Sequence, residues 1–221
     1  MSNAQDFIQF LVDSGALRFG EFITKSGRKS PYFINMGEFK TGASLGRLAE
    51  FYAKAFQERF AGRADNLFGP AYKGIPLAAS AAVALDALGI ELSFTYNRKE
   101  AKDHGEGGLL VGDKYDEERR VVIIEDVITA GTSVRETFAI LKSYPKAVPV
   151  GLLVSVDRRE KLESGRSAME EVRAEQGIET AAIADVNDLI SYLEKPENRA
   201  ALGLGESMLE KVRAYRAEYG V

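Results

Sequence analysis

Residues Val121–Ser133 read VVIIEDVITAGTS, and the rest of the chain is organised around them. The β-branched apolar run Val121–Ile124 suits a strand buried on both faces of a parallel sheet. Glu125 and Asp126 follow, and then the short loop Thr129-Ala130-Gly131-Thr132-Ser133. Beyond it Val134, Phe138 and Leu141 recur at i, i+4 and i+7, which predicts a helix. A strand that runs into a Gly/Thr/Ser loop and then a helix forms a phosphate cradle. Its backbone N–H groups converge on one point, where the helix dipole favours an anion. Hydroxyls of Thr129, Thr132 and Ser133 can add donors.

The acids narrow the choice of ligand. A plain phosphate loop avoids carboxylates beside its anion, because like charges repel. A ligand that carries hydroxyl donors next to its phosphate removes the conflict. A ribose 5-phosphate fits, with its phosphate in the loop and its 2- and 3-hydroxyls on Glu125 and Asp126. Helix capping is the alternative, since Asp and Thr also cap helices for structural reasons alone.

Composition sets the outer bounds. At 221 residues, 45% hydrophobic and 28% charged, the chain makes a single domain. A net charge of −4 with no basic stripe argues against a nucleic-acid partner. The absence of cysteine excludes disulfides, thiolate nucleophiles and cysteine-based zinc sites. The lone histidine, His104, excludes a multi-histidine metal site. Met1–Asp6 lacks the basic and apolar regions of a signal peptide, and Ile75–Leu85 is too short to span a bilayer. A cytoplasmic protein without membrane contact is expected.

Taken in order, Ala4–Ser14 predicts a helix stopped at Gly15, and Leu17–Thr24 a short strand. Lys25–Asn35 sets three cations among aromatics around a Gly and a Pro. It reads either as a solvated hairpin or as a site for a flat anionic ring against Phe33. Gly42–Phe60 is an amphipathic helix whose apolar side, Tyr52 included, reads as core. Leu67-Phe68 ends a strand at Gly69-Pro70-Ala71-Tyr72-Lys73-Gly74, and an Ala-rich helix follows over Ile75–Leu88. This second strand–loop–helix turn suits a pyrophosphate: its glycines permit close backbone approach and Lys73 supplies charge.

Ile90–Tyr96 is the next strand. The segment 97–108 after it holds Arg98, Lys99, Lys102 and His104 and ends in glycines. With few apolar residues it predicts a mobile loop, the kind of lid that closes over a polyphosphate. Leu109–Gly112 completes a hairpin, and Val148–Val156 is a strong strand that ends at Asp157-Arg158. An Arg there lies on the ligand side of an open α/β sheet, unless it merely pairs with Asp157. Helices over Ser167–Gly177, Asp188–Leu193 and Leu202–Tyr219, with a strand over Ile178–Ile183, read as packing.

The stretch Val121–Ser133 resembles the phosphoribosyl-pyrophosphate (PRPP) signature of the type I phosphoribosyltransferases. The Arg-Lys-x-x-Lys-x-His-Gly arrangement of Arg98–Gly105 is similar to the catalytic loop of the orotate phosphoribosyltransferases, which purine-using relatives lack. The resemblance implies an α/β fold: an open, mostly parallel twisted sheet flanked by helices. It adds a small hood drawn mainly from residues 1–40 and the C-terminal segments. It implies transfer of the phosphoribosyl group from PRPP to orotate, giving orotidine 5′-phosphate and pyrophosphate. PRPP would be held by Lys25, Tyr72, Lys73, Arg98, Lys99, Lys102, His104 and the run Glu125, Asp126, Val127, Ile128, Thr129, Ala130, Gly131, Thr132 and Ser133. Orotate would meet Phe33, Ile34, Thr129 and Arg158. Lys102, His104 and Asp126 would be catalytic, and Mg²⁺ would bind through PRPP and water rather than through protein ligands. The resemblance also implies strained backbone near Ala71–Lys73, often as a non-proline cis peptide, and a homodimer that shares its catalytic loops. Glu125 stands where the family commonly has Asp, and Ile34 where it is often aromatic. Another base phosphoribosyltransferase, or a PRPP-sensing regulator without turnover, are the alternatives.

Overall fold

The computed structural model describes residues 3–24, 26–102, 108–128 and 131–221, with backbone alone at 101 and 102. The chain runs through α1 (Asn3–Asp13), β1 (Leu17–Ile23), β2 (Lys29–Ile34), α2 (Gly42–Phe60), β3 (Asn66–Gly69), α3 (Gly74–Asp86) and β4 (Ser93–Lys102). It continues through β5 (Gly108–Gly112), β6 (Arg119–Ile128), α4 (Thr132–Leu141), β7 (Ala147–Asp157), α5 (Ala168–Gln176) and β8 (Glu179–Asp185). The last elements are α6 (Val186–Glu194), α7 (Pro196–Ala201) and α8 (Glu206–Tyr219).

The VVII run sits in the middle of a six-stranded sheet of order β5-β4-β3-β6-β7-β8. All neighbours pair parallel except β5, which returns antiparallel on β4. Alternation along β6 explains why its core reads as a continuous apolar run. Val122 and Ile124 enter a core with α1, α2, α3, α6 and α8, while Val121 and Ile123 enter a second one with α4 and α5. An open, mostly parallel sheet flanked by helices is therefore the fold. A separate two-stranded antiparallel sheet, β1 with β2, packs on α8 and α1.

Local chemistry sets most helix ends. Thr41 and Ser44 form a capping box before α2, and Ser167 and Glu170 form another before α5. Gly177 closes α5 at φ +67°, a left-handed conformation that glycine adopts without penalty. The expected helix over 202–219 is interrupted: Gly203 turns at φ +64°, so α7 ends at Ala201 and α8 starts only at Glu206.

The segment 97–102, expected as loop, instead prolongs β4 to Lys102. The physical reason is the partner strand: Asn97 pairs with Leu110 and Lys102 with Gly108, so the backbone finds hydrogen bonds although its side chains are charged. A register shift lies between those pairs. Residues 103–107 of the expected lid lie outside the described residues.

Candidate active site

Because β3 and β6 are adjacent and parallel, with Phe68 beside Ile123, the turns that follow them leave the same sheet edge side by side. In an open α/β sheet this carboxyl edge is where ligands bind. Two helices point their N-termini at it. The N-cap of α4 is Gly131 at φ +71° and that of α3 is Lys73, and neither carries a side-chain capping bond. Among the described residues, therefore, neither N-cap side chain satisfies a first-turn amide of α4 or α3, although the Gly74 amide is taken by a backbone carbonyl.

The turn after β3 is built on the absence of side chains. A Cβ on Gly69 would lie 2.2 Å from the Gly74 carbonyl oxygen, and one on Gly74 would lie 2.5 Å from Pro70 Cδ. Strand end and helix start thus touch backbone to backbone, closed by the Gly74 amide donating to the Pro70 carbonyl at 2.9 Å. The Ala71–Tyr72 peptide between them is cis. Asn97, at the base of the β4–β5 hairpin, accepts the Ala71 amide on its Oδ1 at 3.0 Å.

The acids at the end of β6 differ in setting. Glu125 is buried, accepting from the Ser133 hydroxyl on one oxygen and from the Asp126 amide at 3.1 Å on the other. Burial pushes its carboxyl above the ordinary value, more than the Ser133 bond lowers it. Asp126 faces across the gap and pairs with Lys73 at 2.9 Å, so the ion pair ties one turn to the other. Hydroxyls beneath fix both residues by their carbonyls: Tyr52 donates to that of Glu125 and Ser155 to that of Asp126, each at 2.6 Å. Around the rim, Tyr72 is exposed and the Lys99 ammonium lies 5.8 Å from its ring centre. Arg98 donates to the Gly108 carbonyl at 3.0 Å.

The end of β7 supplies a buried cation. Arg158 is 5% exposed and does not pair with Asp157; its partners are Glu160 at 2.6 Å and Ser30 of β2 at 3.0 Å. That contact brings β2 to the same sheet edge. Phe33 stands exposed on β2 with its ring stacked 5.4 Å from that of Phe22, and Ile34 is half-buried.

Residues 37–190 match the phosphoribosyl transferase domain family. Along nearly its whole length the chain is similar to orotate phosphoribosyltransferases. It is 48% identical to that of Clostridium acetobutylicum, covering 98% of this chain and 97% of the relative. It is 51% identical to that of Cupriavidus metallidurans, covering 99% and 96%. The solved structure of the Francisella tularensis orotate phosphoribosyltransferase superposes with a TM-score of 0.84 at 36% identity, over 98% of this chain and 100% of the other. This chain belongs to the orotate phosphoribosyltransferase family.

For an orotate phosphoribosyltransferase, the edge between β3, β6 and β7 gathers Tyr72, Lys73, Glu125, Asp126, Gly131, Thr132, Ser133 and Arg158. Val127 and Ile128 point elsewhere: both still belong to β6, and their side chains pack into the two cores. They could offer a ligand only their backbone. Lys25, His104, Thr129 and Ala130 lie outside the described residues, as does the side chain of Lys102. Sequence reasoning missed Asn97, Tyr52 and Ser155 as supports of the two turns. Tyr52 gave no signal, because a hydroxyl on an apolar helix face reads as core until its partner is known.

Glu125 makes a prediction about pH. Its folded pKa lies above its unfolded value, so the native state binds the proton more tightly and loses stability as pH rises through that interval. Glu125→Gln does not titrate there. The melting temperature of the variant, measured relative to the parent, is expected to become more favourable between pH 4 and pH 7. A constant difference over that range would refute the buried-acid assignment.

Proposed function

We propose that the site joins orotate to the 5-phosphoribosyl group of PRPP, giving orotidine 5′-phosphate and pyrophosphate as a step of pyrimidine biosynthesis. The observation that carries this reading is the pair of adjacent turns with uncapped helix starts, bridged by Lys73 and Asp126. One turn suits the 5-phosphate and the other the diphosphate, with the acids between them where the ribose would lie. Relatives of matching length that bear the name orotate phosphoribosyltransferase support the choice of base.

Displacement at the anomeric carbon passes through an oxocarbenium-like state, positive on the sugar and negative on the leaving diphosphate. It asks for anchoring, counter-charge and exclusion of water, and for no protein nucleophile. Thr129–Ser133 would anchor the phosphate through their amides and hydroxyls. Glu125 and Asp126 would take the ribose hydroxyls. Each carboxylate oxygen of Glu125 already accepts one bond and keeps a further lone pair. Lys25, Tyr72, Lys73, Arg98, Lys99, Lys102 and His104 would face the diphosphate, with Lys102 or His104 as proton donor. Arg158 would meet the orotate carboxylate, with Phe33, Ile34 and Thr129 beside the ring. The β1–β2 sheet and α8 would form a hood over that end.

Among the described residues no three His, Asp or Glu side chains come together as a metal cage. This donor set suits Mg²⁺ held mainly by the oxygens of PRPP and water, near Asp126, since that ion favours phosphate oxygens over an all-protein site. When bound it neutralises the diphosphate. The resemblance supports a homodimer in which the segment 97–108 serves the neighbouring site. Among the described residues no helix is long and apolar enough to cross a membrane, and we place the enzyme in the cytoplasm.

The test is loss of orotate absorbance with PRPP and Mg²⁺. Orotate-dependent pyrophosphate release is expected; release with a purine base instead would identify another phosphoribosyltransferase, and PRPP binding without turnover a regulator. Lys102→Ala is expected to lower turnover far more than PRPP affinity. A variant with parental turnover would remove Lys102 from the chemistry.

A further inference from the structure

We infer that Glu160 is a positioning residue for the base end of the site, holding the Arg158 guanidinium in the plane that receives a ring carboxylate. The inference rests on the reading above that Arg158 meets the orotate carboxylate. Glu160 is 6% exposed and sits between two arginines. Its Oε1 accepts from Arg158 Nε at 2.6 Å and from the Tyr215 hydroxyl at 2.8 Å, and its Oε2 from Arg28 Nη1 at 3.3 Å. Arg158 Nη2 is held at 3.0 Å by Ser30 Oγ and at 3.4 Å by the Tyr215 hydroxyl, and the guanidinium lies 4.3 Å over the Tyr32 ring. Nε, Nη2 and one face are thus occupied, and Nη1, which makes no hydrogen bond to a described residue, is the nitrogen left to meet a carboxylate.

The backbone beneath Glu160 is fixed as well. Glu160 bridges to Gly220, and the Val221 amide donates to the Arg159 carbonyl at 3.0 Å. The C-terminal helix therefore sets the position of the acid, and the acid sets the position of the arginine.

Charge gives the cluster a second role. Arg28 and Arg158 against Glu160 leave one net positive charge on a largely buried group. An unbalanced charge is costly to bury, and a substrate carboxylate balances it. A neutral pyrimidine such as uracil leaves the cation unpaired and is rejected. Glu160 thereby contributes to selection of an acidic base while itself touching none of the reacting atoms.

The test is steady-state kinetics of the full chain with orotate, alongside inhibition by its uncharged 6-carboxamide analogue. Glu160→Gln leaves one oxygen for three donors and sets two cations against each other. The orotate KM is expected to rise about tenfold or more. The KM for PRPP and the inhibition constant of the carboxamide are expected to stay near parental, while the melting temperature falls because two cations lose their buried counter-charge. Tyr215→Phe keeps the ring and removes two bonds, one to Glu160 and one from Arg158, and is expected to raise the orotate KM about threefold. An unchanged or lower orotate KM in both variants would overturn the inference, as would equal losses for orotate and the carboxamide. Arg158→Lys separates the two claims. If it raises the orotate KM while the other two variants do not, only the positioning role fails. If it leaves the orotate KM unchanged, the reading of Arg158 fails.

Discussion

Asp126→Asn is expected to lower turnover by about 10²–10³-fold while the fold and PRPP affinity hold. The residue stands at the carboxyl end of the central strand, with its carbonyl held by Ser155 at 2.6 Å, so its side chain starts from a fixed point. In the proposed reaction positive charge grows on the ribose only as the bond to diphosphate breaks. A carboxylate beside it stabilises that state more than the ground state, which is the condition for an effect on turnover rather than on binding. Asn preserves the size and an acceptor and removes the charge. It also releases Lys73, whose ammonium is 2.9 Å from Asp126 in the free protein, so the diphosphate gains a partner as the sugar loses one. Turnover of the variant together with calorimetric PRPP binding checks this. Turnover within threefold of the parent, or a loss seen only in PRPP affinity, would contradict it.

The second large effect is structural. Gly74→Ala places a methyl group 2.5 Å from Pro70 Cδ and 2.8 Å from the Gly69 carbonyl carbon, and neither neighbour is the movable end of a side chain. Overpacking of this kind costs about 1–3 kcal/mol, with the backbone shifting to relieve it. That shift would move the first amides of α3, so PRPP affinity should fall together with stability. Gly46→Ala is the matched control: it lies inside α2 with nothing within 4 Å of the added carbon, and alanine favours the helix. Denaturant melts and PRPP titration of both variants read the difference. Parental stability and PRPP affinity in Gly74→Ala would show that the turn can open without consequence.

Most of the architecture was legible because it is written in short-range patterns. The run VVII can be a strand with both faces buried, and it is one. The periodicity over Gly42–Phe60 returned α2 at the same limits, and the Gly/Thr/Ser segment after Asp126 was recognisable from residue type and order alone. What remained hidden depends on partners distant in the chain. Tyr52 looked like core, yet its hydroxyl supports Glu125 from a different element. Asn97 looked like one more polar residue of a loop, yet its amide oxygen occupies the Ala71 N–H. From the sequence, Arg158 reads as facing a ligand or pairing with its neighbour Asp157. Its actual partner, Glu160, draws Arg28 and Tyr215 to the same point, an arrangement no local pattern encodes. The prolonged β4 belongs with these: charged residues give no strand signal, and only the returning chain completes the ladder.

The bond between Asn97 and the Ala71 amide ties the β4–β5 hairpin to the neighbouring turn. A substitution at Asn97 would therefore be felt on two elements at once, although the residue belongs to only one of them.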